Sequence, residues 1–249
     1  MKLFTALFAL VLLAGCGAKV PSGMSGARVS VLAEPKAGYR PERQPAGGGY
    51  DTNPDSDDPG PQRFPFQTLN YSSLNDIVVW LEPQEAGASS APAPKAVTLD
   101  AGASVASLDK AVKATAVGGE VRLENRSSGP VLAYLRSEQG SIVDAGSVAP
   151  GRSGAVRLPA PGLWQVLREA DAGAADDVVV GQVYAAPTGW VQTTVSGGRV
   201  TFSPVPPGRY VARAWHPRLP GSSQPVTLAP DRVADVTLVV SVNPLPKVP

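Results

Sequence analysis

Arg199-Val200-Thr201-Phe202-Ser203-Pro204-Val205-Pro206-Pro207-Gly208-Arg209-Tyr210-Val211-Ala212-Arg213-Ala214-Trp215 is the most regular stretch of the chain. Val200 and Phe202 alternate with polar neighbours, and Tyr210, Ala212 and Ala214 fall on one face of the next run. That period of two belongs to half-buried strands. Pro204 to Gly208 reads as a bend between them. Proline pre-sets φ, and glycine lets the chain swing into the next strand. Upstream, Val191 to Val195 reads as a strand and Ser196-Gly197-Gly198 as a tight turn. Downstream, Pro225 to Leu228 and Val233 to Val242 close the segment.

The same pattern extends toward the N-terminus. Ile77-Val78-Val79-Trp80-Leu81 is an uninterrupted apolar run, the sign of a strand buried on both faces. Val97 to Leu99, Glu120 to Asn125, Val131 to Leu135, Gly154 to Leu158, Leu163 to Arg168 and Val178 to Tyr184 follow as further strands. Most recur at intervals of about ten residues with Pro/Gly turns between them, which points to a sandwich or barrel. Leu108 to Val117 reads as at most one helical turn. Ala27 to Leu32 alternates as one short strand within a poorly apolar region.

Composition narrows the chemistry. Gly and Pro number 26 each in 249 residues, favouring turns and strands over helices. A net charge of +1 carries no nucleic-acid footprint. The single cysteine, Cys16, rules out an internal disulfide, and the single histidine is His216. No Ser lies in a Gly-x-Ser-x-Gly elbow, and Ser153 sits in an ordinary turn. The chain therefore reads as non-enzymatic, with no cofactor and no metal.

Lys2, the apolar run Leu3 to Leu13, and Leu13-Ala14-Gly15-Cys16 resemble a bacterial lipoprotein signal peptide ending in a lipobox. The run is too short to span a bilayer, which takes roughly 20 residues. The resemblance implies cleavage before Cys16 and lipidation of Cys16. Two or three acyl chains anchor durably where one does not. Gly17 implies sorting to the outer membrane, facing the periplasm, with exposure at the cell surface left open. Residues 16–67 read as the lipidated cysteine and a Pro/Gly/Asp-rich tether with one possible strand. Asp51 to Asp58 lacks the Gly and terminal Glu of a calcium loop and reads as solvated linker.

Gly197-Gly198-Arg199-Val200-Thr201-Phe202 through Pro206-Pro207-Gly208-Arg209-Tyr210 resembles the carboxypeptidase-regulatory or transthyretin-like β-sandwich. The resemblance implies that Pro206, Pro207, Gly208, Tyr210, Trp215 and His216 form a structural motif, with the Tyr210 hydroxyl on a backbone partner. Trp215-His216-Pro217-Arg218-Leu219 resembles the ending of periplasmic methylamine-utilisation (plastocyanin-like) proteins. Asp76 to Glu82, Val117 to Asn125 and Pro161 to Val166 resemble their earlier strands. The expected fold is all-β: a cupredoxin-like sandwich (68–186) followed by a smaller transthyretin-like, carboxypeptidase regulatory-like β-sandwich (187–243), with a disordered tail (244–249) and a signal peptide at 1–15. A type-I copper site needs two His, a Cys and an axial ligand. The resemblance places them between Ser127 and Tyr134, near Arg168 and near Asp171, where this chain has neither His nor Cys.

The expected function is thus a lipid-anchored envelope protein whose sandwiches serve as a structural or protein/cell-wall interaction module. Membrane attachment is through the lipid, and no nucleic acid is involved. A metal-handling or redox accessory descended from a cupredoxin is the alternative, and a carbohydrate-binding module the second. Trp80, Trp164 and Trp215 read as core residues. Trp190, beside Gly189 at a loop edge, reads as the exposed one. Arg209, Arg213, Arg157 and Arg168 read as outward strand charges.

Overall fold

The computed structural model describes residues 20–34, 76–85, 91–103, 111–169, 177–195 and 197–241. Regular structure among the described residues is all β-strand. The first half holds β1 (Ser25–Glu34), β2 (Val78–Pro83), β3 (Val97–Asp100), β4 (Val112–Ala116), β5 (Glu120–Glu124), β6 (Val131–Ser137) and β7 (Ile142–Val148). The second holds β8 (Ser153–Arg157), β9 (Gly162–Arg168), β10 (Val178–Ala186), β11 (Val191–Thr193), β12 (Arg199–Val205), β13 (Gly208–His216), β14 (Leu219–Leu228) and β15 (Val233–Ser241).

These strands form four sheets, ordered β12-β1-β15, β11-β2-β13-β14, β3-β5-β8 and β4-β10-β9-β6-β7. The first two close over a core that includes Val29, Val31, Leu81, Trp190, Phe202, Tyr210 and Leu238. The last two close over a second core around Leu123, Leu135, Trp164 and Val166. A third cluster joins the two units: Val78, Trp80, Val112, Leu163 and Ala186 pack with Tyr184 and Trp215. The four sheets are therefore stacked, and the seam between units is apolar.

The stacking explains the uninterrupted run in β2. Ile77, Val79 and Leu81 enter the first core while Val78 and Trp80 enter the seam. A strand with two buried faces has no solvent side on which to alternate. β2 bonds to β13 and β11, so it belongs with the C-terminal strands rather than with the 97–186 strands beside it in sequence.

β1 is the one possible strand read within the tether, longer at both ends than Ala27 to Leu32, and it is the middle strand of its sheet. It runs antiparallel to β12, with Val29 opposite Val200, and parallel to β15, with Val29 opposite Val236. Ala27, Val29 and Val31 are fully buried. Its period-two pattern is that of a half-buried strand; what sequence did not supply was the partner strands, which lie at the far end of the chain.

Two elements differ from expectation. The helical turn proposed for 108–117 is β4 from Val112 onward, parallel to β10; 104–110 lie outside the described residues. Alanine's helix preference yields to packing, since Val112 and Ala114 face the seam. β7 was not anticipated. Asp144 and Gly146 dilute its pattern, and it is an edge strand bonded to β6 alone.

The bend at 204–208 carries the chain between sheets, because β12 pairs with β1 while β13 pairs with β2 and β14. Gly208 has φ 154, a conformation L side chains rarely adopt.

Candidate functional site

The C-terminal sandwich is closed along one side, where β14 packs on β15. Along the other side the edge strands β11 and β12 leave an open groove of about 620 Å³. Trp190 and Phe202 form its floor, and both belong to the core beneath. Pro92, Pro204, Pro206 and Met24 form walls, with Lys95, Gln192 and Ser203 supplying polar groups. Among the described residues, Lys95 is the only charged side chain in this lining. The volume lies within the usual range of ligand sites, roughly 300–1,000 Å³.

Each wall has a structural cause. Trp190 is 5% exposed rather than open to solvent, correcting the expectation that it is the exposed tryptophan. Its carbonyl accepts from Leu81 N–H at 3.0 Å, tying it to β2. Its ring meets Tyr210 edge-on, centroids 5.7 Å apart. Gly189 admits this arrangement: a Cβ there would lie 1.9 Å from the Pro92 carbonyl oxygen, so the 91–96 segment passes directly over it. Tyr210 is fully buried, and its hydroxyl donates to the Pro206 carbonyl at 2.9 Å. Burial pushes the Tyr210 phenol pKa up. The Tyr210 bond thus fixes the proline corner that walls the groove. Pro206 lines it, Pro207 is exposed on the corner, and Gly208 starts β13.

Trp215 and His216 lie at the other end of β13 and do not reach the groove. Trp215 stacks on Tyr184 at 4.4 Å, and Tyr184 meets Trp80 at 5.5 Å. Burial raises the Tyr184 phenol pKa. The His216 side chain is 1% exposed. Its Nδ1 accepts from the Arg218 N–H at 3.1 Å, while Nε2 stands 3.7 Å from the Asp76 carboxylate. That is beyond hydrogen-bond range, so Nε2 lacks a hydrogen-bond partner and meets Asp76 by charge alone. Burial lowers the histidine's pKa, opposed by the charge of Asp76 and assisted by that of Arg218. A sealed imidazole in this setting has no access to a substrate.

The positions singled out by the copper comparison hold other groups. Asn125 is buried and uses its whole amide. Nδ2 donates to the carbonyls of Gly129 and Val148, and Oδ1 accepts from Ser127 N–H and Oγ. This knot pins the 126–130 turn. Arg168 is not simply an outward charge, because its Nε is buried and without a partner. Arg209 and Arg213 do face outward, paired with Glu85 at 3.1 Å and Glu82 at 2.6 Å. Among the described residues, no three His, Cys, Asp or Glu side chains form a group that could hold a metal. A second hollow of about 300 Å³ contains Asp144, Glu169 and Asp177. The Tyr134 hydroxyl donates to Asp177, which raises its pKa. Cys16 and Asp171 lie outside the described residues.

Sequence reasoning found Pro206 and Tyr210 but not the groove. Met24, Pro92, Lys95 and Gln192 converge only through tertiary structure. The single local clue was Gly189 beside Trp190, a glycine where another backbone approaches. No family model, curated protein or solved structure matches the chain.

Proposed function

We propose that the protein is a lipid-anchored, non-enzymatic envelope protein whose sandwiches act as an interaction module, with the groove between β11 and β12 as the contact site. The observation that carries this reading is the groove itself: an apolar floor continuous with the core, flanked by two strand edges. Exposed strand edges beside a side-chain pocket are the ingredients of strand-addition recognition. The sealed state of His216 supports a non-enzymatic role. The near-complete burial of Trp190 disfavours sugar stacking, for which an aromatic face must be open.

In this reading the eight strands β3 to β10, with a core of their own, form the cupredoxin-like unit. β11 to β15, completed by β1 and β2, form the transthyretin-like unit. Lipidation of Cys16 then has a geometric consequence. Between Cys16 and β1 lie only residues 17–24, at most roughly 30 Å of extended chain. Met24, at the end of that span, lines the groove. The long Pro/Gly/Asp segment follows β1 and so joins two strands of one sandwich instead of spacing it from the membrane. The contact site is held close to the bilayer.

Two experiments test the reading. Labelled palmitate is incorporated into the native protein and lost in Cys16→Ser; incorporation that survives the change removes the anchor. A photo-crosslinking amino acid at Gln192 captures one reproducible envelope component in living cells. The same probe at Arg157, exposed on the other sandwich, captures none. Equal, indiscriminate labelling from both positions removes the groove as the contact site.

A further inference from the structure

We infer that the groove takes an extended, carboxylate-bearing peptide segment of an envelope partner, which adds as a short strand to the outer edge of β12 between Thr201 and Ser203, displacing the Gln192 side chain. This rests on the interaction reading above and specifies its ligand. β12 is the outer strand of its sheet, with β1 as its sheet neighbour; on the other side only its first residue is taken up by backbone, where the Arg199 carbonyl accepts from Val195 N–H at 3.4 Å. Val31 N–H donates to the Gly198 carbonyl at 2.7 Å. With Val29 opposite Val200 and Ala27 opposite Phe202, antiparallel alternation turns the backbone of Val200 and Phe202 toward β1 and that of Thr201 away from it.

One bond marks that outward side in use. The Gln192 side-chain amide crosses from β11 and donates to the Thr201 carbonyl at 2.8 Å. An amide N–H already occupies the place that an incoming strand's N–H would take. Thr201 N–H points the same way. Pro204 and Pro206 offer no N–H, so the pairing edge stops at Ser203, and what lies beyond is the apolar floor. The incoming strand therefore pairs over a few residues and lays an apolar side chain in the groove, against the floor edges of Trp190 and Phe202 and the walls of Pro92, Pro204 and Met24. Among the described residues, Lys95 is the single charge in the lining, and no carboxylate lines the groove beside it. Complementarity then selects a peptide carrying Glu or Asp next to its apolar anchor.

The test uses the full-length lipidated protein in mild detergent and a fluorescein-labelled nonapeptide alternating valine with glutamate. The peptide binds and dims tryptophan emission, and replacing its glutamates by lysines weakens binding at least tenfold. Lys95→Glu, an exposed position, weakens it at least tenfold as well. Methylating alternate backbone amides of the peptide abolishes binding in one phase and spares it in the other, the signature of a strand paired on one edge. Equal loss in both phases, unchanged binding to Lys95→Glu, or tighter binding of a soluble muropeptide overturns the inference. If the Gln192 crosslink captures an envelope component while no peptide binds, the peptide inference falls and the interaction reading stands. If neither occurs, both fall.

Discussion

Tyr210 and His216 lie on the same inward face of β13, and each meets its environment differently. Tyr210 has its hydroxyl satisfied by the Pro206 carbonyl. Tyr210→Phe keeps the packing and loses that bond, so unfolding in urea should show a loss of about 1 kcal/mol. The groove should loosen at the same time, seen as weaker binding of the valine–glutamate peptide. His216 is buried neutral with one nitrogen lacking a hydrogen-bond partner. Its folded pKa is lowered from 6.5 by burial. The unfolded chain thus takes up a proton before the folded one does as pH falls. Stability from this group is complete above the unfolded value and drains as pH drops from about 6.5 through the lowered folded value. Asp76 and Arg218 face it and shift the window in opposite directions. His216→Gln should flatten this part of the stability curve measured from pH 7 to 5; an unchanged slope would assign the acid sensitivity to other groups.

At the scale of elements, β1 decides what kind of segment the N-terminal region is. Two substitutions three residues apart separate a core strand from a solvated spacer. Val29→Asp places an unpaired carboxylate in the core and should cost about 4 kcal/mol or more. Leu32→Asp lies on the exposed outer face and should stay within about 0.5 kcal/mol. Equal, small effects in urea titrations would return β1 to the spacer. The alternating strands β5, β6 and β12 were legible in sequence because each has one wet face and one dry face, and β13 because Arg209 and Arg213 mark its second face before Trp215 enters the seam. β2 was legible as buried, but which sheets bury it was not. β4 was obscured by alanine, and β7 by a glycine and an aspartate on an edge that tolerates both. The bend at 204–208 and the inward side of Tyr210 were readable from local rules, while the backbone partner of the Tyr210 hydroxyl came from the family resemblance. The groove was not, since its floor and walls come from strands and loops with no common periodicity.

Across the whole molecule, the seam of Trp80, Tyr184 and Trp215 decides whether two sandwiches behave as one body. The Trp80 indole N–H is buried there without a partner, so the seam holds by packing and ring contacts rather than by hydrogen bonding at that point. Trp215→Ala should cost about 3 kcal/mol and split a single thermal transition into two in calorimetry. Trp80→Phe keeps an aromatic surface and removes the orphaned donor, so it should preserve the single transition. Two transitions already present in the native protein would show that the seam does not couple the units.

The parallel pairing of β1 with β15 sets Gly26 beside Val233 and Ser30 beside Thr237, joining the first described strand to the last. For a chain that crosses a membrane N-terminus first, β1 is delivered while both of its neighbours are still on the other side. If the chain is exported as the proposed anchoring requires, β1 waits with Val29 and Val31 unburied and two edges unpaired until its partner strands arrive. Only the arrival of the C-terminus completes the sheet. On that route, whatever holds the emerging segment in the meantime is part of how the molecule is made; on any route, a truncation near residue 230 removes β15 and leaves that edge of β1 unpaired.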